Sequence, residues 1–93
     1  MNQLDQPTTV HWHGVRNIIA MDGVPGLTQD AVAPVYIFTY LFPLHDAGTF
    51  WYHAHNNAWE QVARGLYGAL IVYEDGEISS QCDIVLFLSL IHI

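Results

Sequence analysis

The sequence predicts an all-β fold, an antiparallel sandwich or barrel of short strands. Three observations carry that expectation. Apolar runs of strand length recur along the chain, one with clear period-two alternation. Clusters of Gly, Pro, Asn and Asp separate them. Two His-x-His pairs, His11-Trp12-His13 and His53-Ala54-His55, lie inside such runs. A strand presents residues i and i+2 on one face, so each pair offers two imidazoles in one direction.

The elements follow in order. Val10 to Val15 reads as a strand, with Val10 and Trp12 on the face opposite the histidines. Asn17 to Pro34, with Asp22-Gly23, Pro25-Gly26 and Pro34, reads as a long turn-rich loop beside that strand. A loop of this length next to ligand residues is more often functional than decorative. Tyr36 to Phe42 alternates, with Tyr36, Phe38, Tyr40 and Phe42 on one face, and reads as a strand ended by Pro43. His45-Asp46-Ala47-Gly48 is a turn, and Thr49 to His55 the next strand. Trp59 to Leu66 holds a short helix, supported by Glu60 and Arg64 at i,i+4. Leu70 to Tyr73 and Asp83 to Leu88 read as two further apolar strands, separated by the turn Glu74-Asp75-Gly76-Glu77.

Ninety-three residues allow one small domain. The hydrophobic fraction is 52% and the charged fraction 12%, low for a soluble surface, so buried contact with other protein is expected. The net charge is −7, and only Arg16 and Arg64 are positive. Phosphate neutralisation needs a basic patch, so nucleic acid is excluded as a partner. Anionic membrane surfaces are excluded on the same ground, and no apolar run is long enough to span a bilayer. Met1 is followed by polar residues, which predicts no signal peptide in this stretch. Cys82 is the only cysteine, so no internal disulfide is expected and the redox compartment is not readable from it.

The histidines carry the chemistry. Within each pair the Cα atoms of a strand lie roughly 6.5 to 7 Å apart. That is too far for tight chelation of one ion at bonds of about 2 Å, and it suits two neighbouring ions. If the two strands are adjacent, four imidazoles converge on a multinuclear cluster. One pair alone is weak evidence, since half-buried histidines that only hydrogen-bond are common. Two pairs in one small domain, both flanked by aromatics, are stronger. Imidazole ligands suit copper, zinc, iron or nickel, and softness alone does not choose among them. His45 reads as a solvated turn residue and His92 as part of the terminus. Cys82 has no histidine near it in sequence and reads as a strand-edge or core residue. Trp12, Trp51 and Tyr52 read as core, and Asp22 as a turn former.

Four segments in order then resemble one family. They are His11-Trp12-His13-Gly14, Met21-Asp22-Gly23-Val24-Pro25-Gly26-Leu27-Thr28-Gln29, Ala47-Gly48-Thr49-Phe50-Trp51-Tyr52-His53-Ala54-His55, and Glu60 to Val72. Together they resemble the first cupredoxin domain of multicopper oxidases of the bacterial laccase and copper-resistance type. The resemblance implies a cupredoxin-like Greek-key β-sandwich, truncated at its N-terminal strands, with one short helix after the second His-x-His. Residues 1–93 then read as a single partial domain. It also implies a copper cofactor of type 2/type 3 kind. His11 matches the type 2 ligand, and His13, His53 and His55 match type 3 ligands. Asp22 matches the carboxylate that hydrogen-bonds cluster water and helps deliver protons.

The chain also departs from the family pattern. The cluster's other ligands, in His-x-x-His-x-His and His-Cys-His motifs, are not present, nor is the type 1 copper site that needs the same cysteine. Val35 stands where a glycine usually follows Pro34, Leu41 replaces a frequent arginine, and Leu90 to Ile93 leave the pattern. The expectation is a laccase-like oxidoreductase acting on small phenolic substrates with O2, completed by homo-oligomerisation as a dimer or trimer. The alternatives are a copper-binding module without turnover and an inactive truncated domain. The resemblance places it in the periplasm or outside the cell.

Overall fold

A computed structural model describes residues 1–76 and 84–88. Strand β1 spans Val10–His13, β2 spans Gly48–Ala54 and β3 spans Tyr67–Val72. They form one antiparallel sheet in the order β1-β2-β3. A 3-10 turn at Ile19–Met21 lies in the long loop, and a single-turn helix, α1, spans Ala58–Gln61. The described residues are all-β with one short helix after the second His-x-His, as the sequence predicts.

The register gives the sheet two distinct faces. His11 pairs with His53, and His13 with Trp51. Because side chains alternate, His11, His13, Trp51, His53, Tyr67 and Ala69 share one face. Val10, Trp12, Phe50, Tyr52, Gly68 and Leu70 share the other. Trp12 packs edge-on against Tyr40 and Phe42, with ring centroids 5.6 and 5.3 Å away, and tilts against Tyr52 at 5.6 Å. The apolar packing therefore sits behind the sheet and leaves the histidine face for chemistry.

The expected strand Tyr36 to Phe42 does not form. The segment is extended, but its backbone makes no ladder with β1. The Val10 amide donates instead to the Tyr40 hydroxyl at 2.9 Å, and the Tyr40 and Phe42 rings lie across the sheet face over Trp12. Phe38, Tyr40 and Phe42 are half-buried, whereas Thr39 and Leu41 are exposed. From Phe38 to Phe42 the period-two pattern reports partial burial, not strand pairing, and Tyr36 on the same face is exposed. The expected strand at the end of the chain also fails. Ile84 to Leu88 are irregular and exposed, with Phe87 resting on Tyr67 at 4.9 Å between ring centroids. Asp83, Cys82 and His92 lie outside the described residues.

Polar side chains close the lower end of the sheet. Gln61 is 3% exposed; its amide donates to the Pro7 carbonyl at 2.9 Å and to Gln6 Oε1 at 3.2 Å, and it accepts from Thr8 Oγ1 at 2.7 Å. Asn2, also buried, donates to the carbonyls of Gln6 and Val32 at 2.8 Å each. These amides tie the N-terminal segment to α1 and to the loop before Val35. Glu60 and Arg64 pair at 3.3 Å, but α1 ends at Gln61, short of the expected Leu66, so Arg64 lies in the turn after it; such an exposed pair contributes about 0.3–0.5 kcal/mol.

Two predictions arise from this packing. Val35 has φ 67°, a left-handed conformation in which a β-branched residue is strained. The Val35 N–H donates to the Asn2 carbonyl at 2.8 Å, which ties this turn to the N-terminal segment. The departure from glycine noted in the sequence therefore has a conformational cost. Val35→Gly should stabilise the protein by about 1 kcal/mol, read as a shift of the urea midpoint at unchanged slope. The second prediction concerns Tyr40. Burial pushes its hydroxyl pKa above the usual value, while bonds from the Val10 amide and the Gln29 side chain pull it down. The folded state thus holds this proton more tightly than the unfolded chain does. Its contribution is fully present below about pH 10 and is lost as pH rises further. Stability should fall on the alkaline side more steeply in wild type than in Tyr40→Phe. Unfolding curves from pH 8 to 11 check this.

Candidate metal centre

Strand pairing brings the two histidine pairs together across β1 and β2. One ligand nitrogen from each of His11, His13 and His53 lies within 4.8 Å of the other two. The tightest pair is between strands, with His13 Nδ1 3.3 Å from His53 Nε2. Two nitrogens bound to a shared ion at about 2 Å span a distance of this order. Along each strand the rings are further apart, at 5.8 Å for His11 and His13 and 6.1 Å for His53 and His55. His55 stands outside the three-nitrogen group, yet its ring centroid is 5.2 Å from that of His11.

Backbone carbonyls set the orientation of two of these rings. His11 Nδ1 lies 2.7 Å from the Asp22 carbonyl, and His53 Nδ1 lies 2.9 Å from the Ala54 carbonyl. Each carbonyl can only accept, so Nδ1 carries the proton and Nε2 keeps its lone pair for a metal. Fixing the tautomer of a ligating histidine through its second nitrogen is a recurring feature of metal sites. The sequence gives no sign of these two carbonyls, because any residue supplies one.

Asp22, read from the sequence as a turn former, also sits beside the cluster. Its carboxylate Oδ1 is 3.4 Å from His11 Nδ1, further than its own carbonyl. Its side chain is one-third exposed, so it reaches water as well as His11. The 3-10 turn Ile19–Met21 delivers it, with the Asp22 amide bonded to the Ile19 carbonyl at 3.1 Å. Gly23 follows at φ 71°, and its α-carbon packs so closely on the Val10 carbonyl that no side chain fits. This contact seats the loop against β1 immediately before His11.

His11 and His53 are half-buried, whereas His13 and His55 are exposed. The cluster is open on one side. His45 is exposed and stands apart from the cluster. The donor set is imidazole nitrogen, without thiolate among the described residues. Such a set fits copper, which tops the affinity order of the divalent ions that imidazole binds.

Comparisons with known proteins agree with this geometry. The chain matches the multicopper oxidase family over residues 1–77. It is 45% identical over 71 residues to a copper resistance protein A homolog of Pseudomonas syringae pv. tomato, covering 76% of this chain and 12% of that protein. It is 42% identical over 79 residues to laccase-1 of Cryptococcus neoformans var. grubii, covering 82% of this chain and 12% of that protein. A multi-copper oxidase of Pseudomonas thermotolerans superposes with a TM-score of 0.76 at 51% identity, over 77% of this chain and 18% of that one. The chain thus spans only a small part of the length of its relatives. Over that part sequence and fold agree, and the chain belongs to the multicopper oxidase family, whose cofactor is copper.

Proposed function

We propose that this chain forms the first half of a laccase-type copper cluster, with His11, His13, His53 and His55 as ligands. The reaction proposed is oxidation of small phenolic substrates coupled to reduction of O2. The convergence of three histidine nitrogens within 4.8 Å carries the reading. A second set of ligands must complete the cluster, and a partner copy in a homo-oligomer, a dimer or trimer, supplies it in this proposal. Residues 1–93 act as one partial domain of the oxidase.

Copper bound here supplies one-electron redox chemistry. The protein's own part is orientation and proton handling. The Asp22 and Ala54 carbonyls hold His11 and His53 with Nε2 free. The Asp22 carboxylate, between His11 and solvent, is placed to hold a water and pass a proton to reduced oxygen. The openness of the cluster at His13 and His55 favours a second reading, a copper-binding module without turnover.

Oxygen consumption with a simple phenol, measured before and after Cu(II) addition, tests the proposal. Copper-dependent consumption in wild type and none in His53→Ala is expected. Equal rates in the two proteins overturn it. Copper binding without consumption selects the module.

A further inference from the structure

Trp51 was read from the sequence as a core residue, and the structure places it elsewhere. It lies on the histidine face, directly across from His13 and two residues before His53. Its ring centroid is 4.8 Å from that of His13 at an interplanar angle of 31°, and 4.4 Å from that of His53 at 34°. One indole therefore supports two imidazoles, whose nitrogens face each other at 3.3 Å.

His13 needs such support. It is exposed, and among the described residues no backbone carbonyl anchors its ring as one does for His11 and His53. The last torsion of a histidine is broad and roughly two-fold, so an unsupported ring turns Nδ1 away from the cluster as readily as toward it. Stacking on a flat neighbour restricts that rotation. Aromatic pairs in this distance range gain energy beyond area burial. Indole has the area to cover two rings at once.

We infer that Trp51 is a positioning residue, which sets the planes of His13 and His53 so that Nδ1 of one faces Nε2 of the other. The inference rests on the proposed copper site for its purpose, but the orientation itself exists without metal. Flatness is the required property, so phenylalanine substitutes for tryptophan and leucine does not.

The test uses the metal-free chain first. Proton NMR of wild type should show contacts from the Trp51 indole to both imidazoles, with ring-current shifts on the His13 and His53 carbon-bound protons. Absence of those contacts overturns the inference, whether or not the site takes metal. Calorimetric titration with Zn(II), a redox-inert probe that imidazole binds, then compares variants. Trp51→Phe should bind close to wild type, and Trp51→Leu about tenfold more weakly, the scale of losing an outer-shell support. Wild-type zinc affinity in Trp51→Leu overturns the inference. A wild-type chain that shows the ring contacts but takes no metal defeats the copper reading and leaves the positioning role standing.

Discussion

His53→Ala should lose copper affinity by on the order of 100-fold or more, the largest effect of any single substitution in this chain. His53 is the hinge of the cluster. Its Nε2 faces His13 Nδ1 at 3.3 Å, and its ring lies 5.3 Å from that of His11. Removing it leaves His11 and His13 on β1 with ring centroids 5.8 Å apart and nearly perpendicular, and only His55, 5.2 Å from His11, on the other side. The fold should survive, because the bond lost is a local one to the adjacent Ala54 carbonyl. His45→Ala is the control, since that imidazole is exposed and away from the cluster. Calorimetric titration with Cu(II) should give wild-type affinity for His45→Ala and little binding for His53→Ala.

Gly23→Ala should cost about 2–4 kcal/mol of stability and disturb His11 at the same time. Two effects add. The residue sits at φ 71°, where a Cβ is strained, and that Cβ would overlap the Val10 carbonyl, which is backbone and cannot swing aside. The loop must lift from β1 or β1 must shift. Either movement withdraws the Asp22 carbonyl from His11 Nδ1, and the imidazole then loses its fixed tautomer. Urea unfolding of the metal-free chain measures the first effect, and the His11 Nδ1 proton resonance the second. A stability change within about 0.5 kcal/mol, the range of ordinary surface substitutions, contradicts the account.

The parts of the site that were legible in the sequence are those that strand geometry dictates. A His-x-His in a strand puts both rings on one face, so adjacent strands bring the two pairs together; three nitrogens converge, and His55, one residue past the end of β2, stands outside them. The register was not legible. His11 faces His53 only because of how the chain between them, residues 12–52, folds back. Nor could the sequence say which nitrogen of His11 and His53 is left free to ligate, since the backbone carbonyls of Asp22 and Ala54 decide it. Tyr36 to Phe42 misled because alternation records which side chains are buried. There the buried set packs on Trp12 while the Val10 amide is taken by a side-chain hydroxyl. Trp51 misled for the opposite reason. Tryptophan in a strand is usually core, and only the pairing with His13 reveals a different use.

The central claim is that imidazoles of β1 and β2 bind copper together. X-ray absorption at the copper edge of the Cu(II)-loaded chain tests it most directly. Nitrogen ligands at about 2 Å are expected, with the outer-shell scattering of several imidazoles, reduced in His53→Ala. A copper environment without imidazole scattering, or one identical in His53→Ala, would contradict it.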